Sequence, residues 1–129
     1  MPNNFCNYPF RHIYLHSTGH FKVCCMMHEH VVKDDGYNQF NASRDSILDL
    51  WNSDYYKHIR KEMLNNNKLD RCNRCWYAED NGLHSMREST NQEYFRKHTQ
   101  EDGTLDIMPS DLELHFGNVC NLSCKMCST

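Results

Sequence analysis

Asp111-Leu112-Glu113-Leu114-His115-Phe116-Gly117-Asn118-Val119-Cys120-Asn121-Leu122-Ser123-Cys124-Lys125-Met126-Cys127 reads as a strand running into a metal loop. Leu112, Leu114 and Phe116 alternate with Glu113 and His115, the period of a strand. Gly117-Asn118 breaks the alternation, and three cysteines follow in a C-x3-C-x2-C spacing. Thiolates set this closely converge on one soft metal centre from a single loop. Three of them can bind three irons of a cubane [4Fe–4S] cluster, which ordinarily takes four cysteines. The fourth iron is then open to a substrate or cofactor. A structural zinc loop with His115 as fourth ligand would share this spacing. His115, five residues upstream of Cys120, reads instead as a histidine on the face of the pleat.

Working outward, the 129-residue chain carries five more cysteines, at 6, 24, 25, 72 and 75. An even total of eight in a short chain would suit a disulfide framework. The segment Met1-Pro2-Asn3-Asn4-Phe5-Cys6, however, has neither the basic nor the apolar region of an export signal. A cytoplasmic setting and metal-bound thiols are therefore expected. The apolar run Val23-Cys24-Cys25-Met26-Met27 is far short of the roughly 20 residues of a membrane span. Lys and Arg total 14 against 17 Asp and Glu, a net charge of -3, so no basic excess exists to hold nucleic acid. The apolar fraction of 39% is low enough that a bound metal is expected to staple the small core.

The local pattern predicts an α+β fold. Ile13, Leu15, Phe21 and Val23 read as two strands of a hairpin turning at His16-Ser17-Thr18-Gly19-His20. A helix is expected over Ser43–Trp51, with Ile47, Leu48, Leu50 and Trp51 on one side. Another follows, capped at Ser53 or Asp54, with the stripe Tyr55, Tyr56, Ile59, Met63 and Leu64. Cys72-Asn73-Arg74-Cys75 sits in a tight turn entering a further helix, and residues 84–98 read as helical. Gln100–Thr104 reads as a linker. A strand leading into a metal loop is not a finished domain. The expected division is a small domain over residues 1–100, a linker over 101–110, and the start of a second, incomplete domain over 111–129.

The final motif resembles the opening of a radical S-adenosylmethionine (radical SAM) enzyme, in which the first strand leads into a C-x3-C-x2-C loop. Asn118 and Asn121 around Cys120 fit the family's N-x-C-N-L-x-C wording. The resemblance implies that Cys120, Cys124 and Cys127 bind a [4Fe–4S] cluster at the head of a (β/α) partial barrel. It also implies that S-adenosylmethionine chelates the open iron. Met126 occupies the position, commonly aromatic in that family, that packs near the adenine. Upstream, Cys6-x12-Gly19-x4-Cys24, then Cys72-x2-Cys75, resembles the auxiliary-cluster module called SPASM, or its shorter form, twitch. Residues 76–81 lack the cysteines of a second auxiliary cluster, so the twitch form with one cluster fits. The ligand set implied is Cys6, Cys24, Cys72 and Cys75. Here the module precedes the barrel, as in some small radical SAM proteins, phage-encoded ones among them.

The implied whole is an enzyme with two [4Fe–4S] clusters, one auxiliary and one catalytic. It would reductively cleave S-adenosylmethionine to a 5′-deoxyadenosyl radical and modify a peptide or protein. An electron donor such as flavodoxin or ferredoxin would serve it, in the cytoplasm (that of the host if phage-encoded). The 129 residues are expected to be inactive alone, since the βα units that position the cofactor are not among them. Two alternatives stand beside this. Cys25, next to Cys24, is a spare ligand or a small packed residue. His28 and His30 with Cys72 and Cys75 would make a Cys2His2 zinc site in a non-catalytic interaction module.

Overall fold

A computed structural model describes residues 3–87 and 89–117. The chain enters through a single helical turn, α1 (Tyr8–Arg11), with Pro9 in its first turn, where the missing N–H has no partner to lose. Strand β1 (His12–Leu15) follows directly and pairs antiparallel with β2 (Phe21–Lys22), Tyr14 opposite Lys22 and Leu15 opposite Phe21. Gly19 makes the turn at φ +89°, and a Cβ there would stand 2.6 Å from Asn41 Oδ1. The same Asn41 donates to the Thr18 carbonyl, so the loop before the first long helices is clasped onto the hairpin. The glycine in the cysteine spacing thus has two reasons to be glycine: a left-handed φ and a close neighbour.

Helix α2 (Ile47–Trp51) starts at Ser46, whose side chain accepts from Leu48 N. It is shorter than the expected Ser43–Trp51, because Asn41 and Asp45 bond within residues 41–45 and hold them in turns. Only Leu50 and Trp51 of its apolar residues are buried; Leu48 faces solvent. Helix α3 (Asp54–Leu64) begins after Ser53 and buries Tyr55, Tyr56, Ile59 and Met63, as its i, i+4 spacing requires. A 3-10 turn (Asp70–Cys72) leads into α4 (Asn73–Asp80). Helix α5 covers only Gln92–His98. Residues 84–87 and 89–91 are not helical, contrary to the sequence pattern, and Asn91 starts α5 from a left-handed φ of 61°.

The core is one cluster in which Phe5, Phe10, Ile13, Phe21, Val23, Leu50, Trp51, Tyr56, Ile59 and Met63 are fully or almost fully buried. Arg60 is buried among them and is satisfied by main-chain oxygens: Nε donates to Pro9 O at 2.8 Å and Nη2 to Trp51 O at 2.7 Å. Residues 100–107 lie against α2 and α3. Leu105 is buried, Trp51 Nε1 donates to Ile107 O, and Asn52 bonds Leu105 through both side-chain atoms.

The last described strand departs from expectation. Strand β3 (Asp111–Leu114) does not stand apart from the hairpin; it pairs in parallel with β1, giving a three-stranded sheet of order β2-β1-β3. The crossover that a parallel pair needs is supplied by all the helices between them. The fold is therefore a small mixed α/β domain with a three-stranded sheet. The apolar residues of β3 face solvent, Leu112 at 52% exposed and Phe116 just beyond the strand at 82%. Glu113 on the opposite face reaches His12, 3.3 Å away. Cys120, Cys124, Cys127 and Met126 lie outside the described residues.

Candidate metal centre

Four cysteines arrive at one cavity from separate parts of the chain. Cys6 is carried by an N-terminal arm tied to the end of α3, where Asn4 N donates to Asn66 Oδ1 and Asn4 Nδ2 to Asn66 O, both at 2.8 Å. Cys24 follows β2, anchored by the buried Phe21 and Val23, and its carbonyl accepts from Met27 N in a turn. Cys72 ends the 3-10 turn and Cys75 lies in the first turn of α4, a three-residue separation that puts both on one side of the helix. Trp76 fixes that helix by donating from Nε1 to Leu69 O at 2.7 Å. Cys6, Cys24, Cys72 and Cys75 all line one narrow, partly open cavity, together with Tyr8, Met26, Met27, Met86 and three arginines.

The thiols themselves report their closeness. Burial pushes the Cys24 thiol up to about 11 and the Cys72 thiol up to about 12, and the neighbouring cysteines push in the same direction. Thiols so raised are protonated at neutral pH, and only thiolates ligate. Loading this site therefore releases protons. Cys25 does not line the cavity; burial and then Glu113 raise its thiol.

The donor set favours a cluster over a single ion. All four donors are sulfur, the soft set suited to zinc or iron–sulfur centres. A lone zinc needs its donors about 2.0–2.3 Å from one point, and among the described residues no three Cys, His, Asp or Glu side chains gather in that way. Nor do the two histidines of the zinc alternative join Cys72 and Cys75. His28 accepts from Arg74 Nε at 2.9 Å, while His30 packs on His20, ring centroids 4.9 Å apart. His115 stands over Tyr14 and bonds Glu113.

Three arginines, Arg71, Arg74 and Arg87, line the cavity beside the thiols. Arg87 makes a fork on Glu79, Nε to Oε1 at 2.9 Å and Nη2 to Oε2 at 3.0 Å, and donates from Nη1 to Phe5 O beside Cys6. Arg74 is held by His28. Arg71 places Nε 3.2 Å from Glu29 Oε1 and its guanidinium 4.5 Å from the Tyr55 ring centroid, and it opposes the rise that burial gives the Tyr55 hydroxyl. Arg71 and Arg74 adjoin Cys72 and Cys75 in the chain, so their place at the cavity is a local matter. The sequence gave no sign of Arg87, Met86 or Tyr8, which only the return of residues 84–87 and the placing of α1 bring to the cavity.

The family model for SPASM, an iron–sulfur cluster-binding domain, matches residues 6–76, more than half of the chain. The chain belongs to this family. Nothing among curated proteins or solved structures matches it. The match spans the cavity's four cysteines and Gly19, and the residues round the cavity fit the cluster that the family binds.

Proposed function

We propose that the chain is the auxiliary-cluster portion of a radical SAM enzyme, in the twitch form with one [4Fe–4S] cluster held by Cys6, Cys24, Cys72 and Cys75. The observation that carries this reading is the meeting of those four thiols, and of no fifth among the described residues, at one cavity bordered by arginines. SPASM domains occur in radical SAM enzymes, and C-x3-C-x2-C at Cys120, Cys124 and Cys127 supplies the matching motif in the same chain. When bound, the second cluster would supply the electron that cleaves S-adenosylmethionine and so generates the radical for modifying a peptide or protein substrate. With four protein ligands the auxiliary cluster has no open iron, which favours electron relay over substrate binding. The protein's own part at this site is to bring four thiols to one cavity and border them with arginines.

The test is metal analysis after anaerobic purification and reconstitution with iron and sulfide. About four to eight irons per chain with matching sulfide, and a chromophore that reduces with dithionite, support the reading. Zinc without sulfide overturns it.

A further inference from the structure

Both chain neighbours of Cys6 are held by one later segment. Arg87 Nη1 donates to the Phe5 carbonyl, and Thr90 Oγ1 accepts from Asn7 Nδ2 at 2.9 Å. That segment is also fastened to α4. Arg87 forks onto the two carboxylate oxygens of Glu79 at 2.9 and 3.0 Å, and Ser85 Oγ donates to Glu79 Oε1 at 2.7 Å. Glu79 lies four residues beyond Cys75 in the helix, so the two share a face. The Arg87 guanidinium also stands 4.9 Å from the ring centroid of Trp76, next to Cys75, and its side chain is only 13% exposed. One arginine thus spans from the arm bearing Cys6 to the helix bearing Cys75, and both it and Met86 line the cavity.

Each wall has its own anchor. The arm is tied to Asn66 through Asn4 and by the buried Phe5 ring, and α4 is tied to Leu69 O through Trp76. What Arg87 adds is a fixed separation between the walls, since a two-bond fork on a carboxylate holds its direction as well as its partner. Cys24 follows β2 and takes no part in this bridge.

We infer that Arg87 is a latch: the positioning residue that locks the Cys6 arm to the Cys75 helix and so retains the metal centre once it is loaded. This rests on the cluster reading given above. Arg87 sets how fast the centre is lost, not which thiols hold it.

The experiment uses the full chain with Cys120, Cys124 and Cys127 changed to Ala, so that only the auxiliary centre contributes. The chain is loaded anaerobically with iron and sulfide and then challenged with a ferrous chelator. Iodoacetamide pulses during release, read by mass spectrometry, show which cysteines come free first. Arg87→Gln is expected to start with the parent's iron content and to release it about tenfold to a hundredfold faster. Cys6 should be labelled ahead of Cys24, because the arm opens while β2 stays in place. Arg87→Lys keeps the charge but loses the planar fork, and its release should fall between the two. Release at the parent's rate overturns the inference. So does faster release with Cys6 and Cys24 labelled together, the pattern of general destabilisation. If Arg87→Gln holds no iron, Arg87→Lys decides by the same two readouts. A parent chain that takes up no iron and sulfide defeats the cluster reading first, and the latch falls with it.

Discussion

The guanidinium of Arg60 lies 4.4 Å from the Trp51 ring centroid and also donates to the Trp51 carbonyl at 2.7 Å. One side chain thereby ties α3 to the end of α2, while its Nε reaches Pro9 O in α1 and its Nη1 reaches Asn52 Oδ1 and Gly103 O. Burial lowers the arginine to about 10, still charged at neutral pH. Arg60→Met would leave several buried carbonyls without donors at about 1–3 kcal/mol each. The expected loss is about 3 kcal/mol or more, read as a lower urea midpoint at an unchanged slope. A loss below about 1 kcal/mol would show that water replaces the side chain.

Gly103 takes φ +94°, and a Cβ on it would overlap the Lys57 carbonyl oxygen. Gly36 has φ +76° with nothing within 4 Å. Gly36→Ala should cost only the left-handed penalty of about 1–2 kcal/mol. Gly103→Ala should cost clearly more, because main chain has to move. Paired denaturation curves check the order, and equal costs would refute the close approach.

Replacing any one of Cys6, Cys24, Cys72 or Cys75 with Ser should abolish stable binding at the auxiliary site. About four irons per chain should be lost, with any cluster at Cys120, Cys124 and Cys127 retained. Cys25→Ser should change iron content little, since Cys25 stands outside the cavity. If Cys25→Ser loses iron while Cys24→Ser does not, the two neighbours have exchanged roles.

Hydrogen bonds from Arg87 hold the Glu79 carboxyl below its ordinary range, against a smaller opposing effect of burial. A carboxyl depressed in the folded state contributes stability that is present above its unfolded value, about 4.3, and is lost as pH falls through the folded one. Glu79→Gln should therefore melt lower than the parent at about pH 7, with the gap closing as the medium is acidified through the carboxylate range. Thermal melts of the metal-free, reduced chain across that range measure it. A gap that stays constant with pH would mean the fork on Arg87 contributes no net stability.

Much of the fold was readable locally. The alternation about Gly19 gave the hairpin, and the Tyr55–Met63 stripe gave α3, because both periods are set by neighbours in the chain. The failures share a cause. The polar stretch 84–91 looked helical, but Arg87 is drawn to Glu79 and Phe5, and Asn91 sits at a left-handed φ. The strand at Asp111 looked like the opening of a separate unit, yet its backbone pairs with β1; strand pairing is a long-range choice that alternation does not encode.

The amino-acid sequence by itself determined the chemistry of this protein: cysteine number and spacing, the glycine between Cys6 and Cys24, and the absence of a basic excess. Spacing can do this because a metal centre demands a set of donors before it demands a fold. Tertiary structure alone decided which thiols share a cavity, that Cys25 and both histidines of the zinc alternative stay out of it, and that Arg87 joins the cavity's border. Those outcomes depend on where α1, α4 and residues 84–87 pack, and burial then sets how strongly each thiol resists losing its proton.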